Sequence, residues 1–396
     1  MNPVAPNGGG IAASRSVIIP PPLGVGDHAK HGGGGSFPPE RSRRGFIGAL
    51  AGLPLVACGR ESRAQLPPRA PDRPLKSFAR FPVGCAVTSE RLADPADAGL
   101  IARHFSQLTA EWEMKMEYIL EEDGSFRFDA PDAIAAFARD RGLRLFGHNL
   151  VWYAQDPEAF RRLDGQPQAF ADAYRNYILA IAGRYAGQAL GWDVVNEAVA
   201  EDGEGLRTCL WSRNLGQLDY MRRAFDHARE ADPAAVLLIN DYNLESLPKK
   251  RATFLRLVES LLKAGAPVGG IGTQSHIDAG LKPGAIRAAF ADLASLGLPI
   301  HVSELDISLN RAEGPLRSRQ ALAAAQFRLA EEIAATFAAL PARQQFAFTL
   351  WGLRDDQSWL RSAKENPTPP WDTPLAFDGQ GQRKLLFDAL AAGFGG

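Results

Sequence analysis

Two glutamates stand near the ends of apolar runs: Glu197 in WDVVNEA (192–198) and Glu304 in VSELDI (302–307). Similar runs end in Glu111, His148, Asn196, Asn240 and Asp241, Gln274 and His276, and Trp351. Two carboxyl groups facing one cleft can divide the work of acid and nucleophile, or of acid and base. Glycosidic bonds break by that chemistry, through an oxocarbenium-like transition state. Retention of configuration asks for carboxyl groups about 5–5.5 Å apart. At that distance an anion raises the pKa of its partner and keeps it protonated near neutral pH. Spacing alone does not say which glutamate takes which role. Taken singly, a strand-end Glu is more often an ion-pair partner and a lone His more often a surface residue. That account must hold separately at nearly every run, whereas one shared pocket explains them together.

For these residues to meet, the runs must be strands that end on one face. Eight segments qualify: 81–87, 106–111, 144–152, 190–198, 235–243, 269–277, 299–307 and 345–353. Amphipathic patterns such as 130–142 and 218–231 separate them, and the latter stops at Asp232-Pro233. Eight strands alternating with helices predict an α/β chain folded as a (β/α)8 TIM barrel, with its chemistry at the C-terminal strand ends. An open doubly wound sheet is the rival. It is disfavoured because no Gly-rich phosphate turn follows the first strand.

The chain has 396 residues, 45% hydrophobic and 22% charged, which is enough apolar side chain for a large core. Its 44 Lys and Arg nearly balance 45 Asp and Glu, so nothing points to nucleic acid as a partner. Residues 1–41 are Gly- and Pro-rich and read as a disordered leader. In 42–59, Arg43 and Arg44 precede an apolar stretch too short to span a membrane, the order of a twin-arginine-type export signal. Leu55-Val56-Ala57-Cys58 resembles a lipoprotein processing site, so a lipid anchor at Cys58 and free release are both open, in the periplasm or outside the cell. Residues 60–77 read as a Pro-rich linker, and 78–396 as the catalytic domain. Cys85 and Cys209 lie in apolar surroundings and are expected as buried free thiols, with one bridge between them as the alternative. No metal-binding motif occurs, the chemistry needs no cofactor, and a monomer is the default expectation.

WDVVNEA (192–198), VSELDI (302–307), GHNLVW (147–152), NDYN (240–243), GTQSH (272–276) and LWGLRDDQSW (350–359) together resemble the glycoside hydrolase family 10 xylanases. The resemblance runs from about residue 78 to 391. It implies a retaining endo-β-1,4-xylanase acting on xylan or xylo-oligosaccharides, with Glu197 as acid/base and Glu304 as nucleophile. By the same resemblance Asn196 would bond the 2-hydroxyl of the sugar being cleaved, and His276 would hold Glu304. His148 and Gln274 would orient groups at that subsite, and Trp351 and Trp359 would wall the glycone side. Glu111 and Lys115 would grip a more distant sugar. Trp152 counts among the substrate-binding residues, and Tyr242 would line the aglycone side. Two positions depart from the family pattern. Trp112 stands where Asn is usual, and Trp accepts no hydrogen bond, so a stacking contact is expected there. Tyr153 stands where His is frequent, which replaces a ring that titrates near neutral pH with one that does not. Another retaining β-glycanase is the alternative activity. A sugar-binding protein on an inactive barrel ranks below it, because both glutamates are present.

Overall fold

The computed structural model describes residues 69–310, 318–363 and 367–395. Its strands are β1 (Val83–Val87), β2 (Gln107–Ala110), β3 (Arg144–Trp152), β4 (Ala189–Asn196), β5 (Val236–Asp241), β6 (Gly270–Thr273), β7 (His276–Asp278), β8 (Ile300–Ser308) and β9 (Gln345–Leu350). All pairings between them are parallel. The order β6-β5-β4-β3-β2-β1-β9-β8 closes through β6 and β8 into an eight-stranded barrel. This is the (β/α)8 barrel expected from the alternating pattern. β1, β2 and β8 are buried at every position, as parallel strands covered by helices must be.

One expected strand, 269–277, is two. Ser275 adopts a left-handed backbone (φ 61°), which breaks the pleat between β6 and β7. The break turns Gln274 toward both neighbours: its N–H donates to Asp241 O (3.0 Å), and its C=O accepts the Glu304 N–H (3.0 Å). β7 then pairs with β8 alone, farther along the barrel.

The helices follow their apolar stripes. Pro167–Arg184 begins with Pro and buries Phe170, Tyr174, Tyr177, Ile178 and Ile181, the pattern of one helical face. Asp219–Ala231 ends at Asp232, whose carboxylate accepts the N–H groups of Ala234 (3.0 Å) and Ala235 (3.3 Å). Pro233 cannot continue the helix. Where β3 and β4 pair, a Cβ at Gly147 would lie 2.1 Å from the Trp192 ring, so only glycine lets that indole pack there. Beneath the site, His301 Nε2 and Thr349 Oγ1 are bonded at 2.8 Å, and Phe146 meets the imidazole edge-on. Burial lowers the His301 pKa to about 3, which keeps this imidazole uncharged.

Part of the expected linker is not a free spacer. Leu75 is fully buried and its N–H donates to His104 Nδ1 (3.2 Å). Lys76 Nζ caps the carbonyls of Ala102 (2.8 Å) and Phe105 (3.0 Å), and Ala70 N–H donates to Asp388 (3.1 Å). Residues 69–77 thus lie on the barrel. One apolar anchor and a few backbone bonds suffice to dock even a Pro-rich strap. The leader, the export segment with Cys58, and 60–68 lie outside the described residues. Cys85 and Cys209 are free and buried, so the bridge between them does not form. Among the described residues no helix is long and apolar enough to cross a membrane.

Candidate active site

β4 carries Asn196 to the barrel's C-terminal end, and Glu197 follows in a left-handed conformation (φ 58°). A non-Gly residue there costs on the order of 1 kcal/mol, tolerated when its surroundings over-determine it. Here the Glu197 N–H donates to Asn240 O (2.8 Å) at the end of β5. Gln274 Nε2 donates to Glu197 Oε1 (2.9 Å), and Asn196 Nδ2 reaches the same oxygen at 3.2 Å. Glu304 leaves β8 on the other side of this cluster. Asn240 Nδ2 donates both to Glu304 Oε1 (2.8 Å) and to Asn196 Oδ1 (2.9 Å), so one amide group joins the two carboxyl neighbourhoods.

Their electrostatics differ. Burial, above all, pushes the Glu197 carboxyl up, and the Asp241 and Glu304 anions add to it against the Gln274 amide. Burial would also raise Glu304. His148, His276 and Lys115 outweigh it and hold the carboxyl at about 2. His276 Nε2 lies 3.4 Å from Glu304 Oε2, and its Nδ1 donates to Asp306 Oδ2 at 2.9 Å. Burial opposes the imidazolium, but Asp306 and Glu304 carry its pKa up to about 10. Asp306 also accepts from Trp359 Nε1 (2.7 Å). Such a site holds one neutral acid and one anion at the same pH.

The remaining expected residues surround this pair. His148 Nδ1 bonds Asp193 Oδ2 (2.8 Å), and its ring packs against the edge of Trp351. Lys115 Nζ lies 4.9 Å from the centre of Trp152 and 5.8 Å from that of Trp351. Glu111 is gripped by Arg91 Nη1 at 2.5 Å, and Arg91 Nη2 binds the Gln357 carbonyl (2.8 Å) in the loop bearing Trp351 and Trp359. The half-buried Trp112 meets Tyr118 edge-on, with centroids 4.7 Å apart. On the Glu197 side, the Tyr242 hydroxyl accepts from Arg207 Nη2 (2.6 Å), and that guanidinium covers Tyr153 at 4.0 Å. Burial raises the Tyr153 and Tyr242 pKa values, so both rings stay neutral.

All twelve expected site residues therefore gather at one end of the barrel. Asn240, expected at a strand end without a role, is the link between the two carboxyl groups, and several partners were not expected at all: Asp306 beneath His276, Asp193 beneath His148, Arg91 on Glu111, and Arg207. Asp306 had a readable signal, two residues from Glu304 on the same strand and hence on the same side. Asp193 had none, since it meets His148 across the β3–β4 pairing. Among the described residues no cluster of His, Cys, Asp and Glu could hold a metal ion.

The model of the family described as "Glycosyl hydrolase family 10" matches residues 75–392. An endo-1,4-beta-xylanase A of Thermotoga maritima is 36% identical over 327 residues, covering 79% of this chain but only 30% of that protein. An endo-1,4-beta-xylanase of Geobacillus stearothermophilus is also 36% identical, over 78% of this chain and 94% of its own length. A solved xylanase structure from Paenibacillus barcinonensis superposes with a TM-score of 0.72 at 33% identity, covering 81% of this chain and 99% of that one.

Proposed function

The chain belongs to glycosyl hydrolase family 10, and we propose that it is a retaining endo-β-1,4-xylanase with Glu197 as acid/base and Glu304 as nucleophile. One observation carries the assignment of roles. The two carboxyl groups share the Asn196–Asn240 bridge yet are driven in opposite directions, Glu197 toward its acid and Glu304 toward its anion. In the first step Glu304 attacks the anomeric carbon while Glu197 gives its proton to the leaving oxygen. The C–O bond to the leaving sugar breaks and a glycosyl ester forms on Glu304. In the second step Glu197, now a carboxylate, takes a proton from water. That water displaces Glu304, and both groups return to their starting states with configuration retained. Asn196 would bond the reacting sugar, and Trp351, Trp359 and Trp152 would offer flat apolar faces to its C–H surfaces.

Azide separates the two roles. Glu304→Ala, given azide and an activated aryl β-xyloside, should yield the α-xylosyl azide by one displacement. Glu197→Ala should yield the β-azide, by interception of the glycosyl ester. Exchanged anomers, or no rescue of either variant, would overturn the assignment. Xylan and carboxymethylcellulose, offered side by side to the wild-type chain, decide the glycan. Residues 42–59 support a further reading, that the protein is exported. Changing Arg43 and Arg44 to Lys should leave the enzyme in the cytoplasmic fraction, and unchanged export would refute this.

A further inference from the structure

The loop after Glu197 is fastened from below. Val199 and Leu206 form an antiparallel bridge, so 199–206 is a hairpin beside the acid/base. Its tip rests on the first turns of the helix Pro248–Lys263. A Cβ at Gly203 would come within 2.6 Å of the Lys250 backbone nitrogen, so the two backbones are in contact. Thr253 Oγ1 donates to Gly203 O (2.6 Å), and Lys249 pairs with Glu204.

Lys250 lies under this hairpin with its side chain wholly buried. Its ammonium is 3.1 Å from Asp241 Oδ1, 3.1 Å from Glu201 Oε2 and 3.3 Å from the centre of the Tyr242 ring. Asp241 in turn accepts the Val199 N–H (3.0 Å), two residues beyond Glu197, and the Tyr242 N–H (2.9 Å). Glu201 accepts from Asn243 Nδ2 (2.8 Å). A fully buried lysine is rare, and apolar packing in its place is often as stable as a buried ion pair. Fold-holding alone therefore explains it poorly. The chain of contacts ends on the backbone that holds Glu197 in its left-handed conformation.

We infer that Lys250 is a positioning residue for Glu197: its ammonium ties Asp241 to Glu201 and so fixes the turn that presents the acid to the leaving oxygen. The inference rests on Glu197 being the acid/base. General acid catalysis matters for a sugar leaving group and hardly at all for one that departs as a stable anion. The test compares kcat/KM for xylohexaose and for a dinitrophenyl β-xylobioside in Lys250→Met and Glu201→Gln. Glu201 is partly exposed, so its variant carries the test even where Lys250→Met does not fold. The expected result is a loss of about tenfold or more on xylohexaose and less than about threefold on the aryl substrate, a part of the 10²–10⁴ that a general acid supplies. Equal losses on both substrates in a folded variant, or no loss on either, overturn the inference. Glu197→Ala, measured alongside, should show the same dependence more strongly. Its failure would sink the reading of Glu197 instead.

Discussion

Replacing His276 by Gln should move the acidic limb of the pH–rate profile upward. His276 Nε2 lies 3.4 Å from Glu304 Oε2, and its Nδ1 donates to the buried Asp306 (2.9 Å). Gln keeps a hydrogen-bonding side chain but removes the cation. Glu304 then loses one of the groups that outweigh its burial, with His148 and Lys115 remaining. A hydrogen bond to a charged group contributes about 1.5–3 kcal/mol, and 1.36 kcal/mol corresponds to about one pKa unit. The nucleophile's pKa should therefore rise by about 1–2 units from its value of about 2. Activity requires the anion, so kcat/KM falls as pH drops through that value. In His276→Gln the fall should enter the range of about pH 3–4, where the parent is still active. The assay is kcat/KM for xylohexaose across acidic and neutral pH, with circular dichroism to show that the variant is folded. A limb that stays in place, or moves down, would refute the claim that His276 holds Glu304 as its anion.

The same pair should shape stability. Glu304 is depressed, so its contribution is whole above its unfolded value of about 4.3 and is lost as pH falls toward about 2. His276 is raised, so its contribution is whole below about 6.5 and is lost as pH rises toward about 10. Calorimetry should show Tm falling from pH 6.5 upward in the parent and less steeply in His276→Gln; parallel slopes would count against it. Trp112→Asn should change KM on xylo-oligosaccharides by about twofold to tenfold if the indole stacks on a sugar, and identical kinetics at every chain length would dispose of the idea. Gly147→Ala drives a methyl group into Trp192 and should cost about 1–3 kcal/mol, read as a drop of several degrees in Tm. An unchanged Tm would mean that the indole can move aside.

The barrel was legible because its strands are covered on both faces and read as short apolar runs between amphipathic helices. The site was legible because polar residues interrupt those runs at their C-terminal ends. What stayed hidden depends on conformation or on register. Nothing in the letters of GTQSH says that Ser275 turns left-handed and splits a strand, or that Glu197 does the same after β4. His148 and Asp193 face each other only because β3 and β4 pair in one register, with irregular steps on either side. Lys250 follows another lysine at the start of a helix and reads as a solvated charge. It is buried only because the hairpin 199–206 folds over it. The docking of residues 69–77 was hidden for a similar reason, since Leu75 looks like any residue of a Pro-rich segment until His104 and Asp388 hold its neighbourhood in place.

The opposite tendencies of Glu197 and Glu304 follow from how charge is sorted around a neutral divider. Cationic and imidazole groups gather about Glu304: His276, His148 and Lys115. About Glu197 the balance tips the other way: burial acts most and the Asp241 anion adds to it directly, although the Arg207 guanidinium also feels its charge. Between them stand two amides, Asn196 and Asn240, and the bonds of Asn240 settle its orientation. Its Nδ2 is committed to Glu304 and Asn196, and its Oδ1 accepts from Ser303 Oγ at 2.8 Å. It can therefore offer Glu304 a donor and cannot offer an acceptor. That orientation favours the anion on Glu304. It also leaves Asn196 with its own N–H for Glu197 or for a sugar hydroxyl. Two glutamates of equal intrinsic acidity are thus set apart before any substrate arrives, by which side of one amide bridge each occupies.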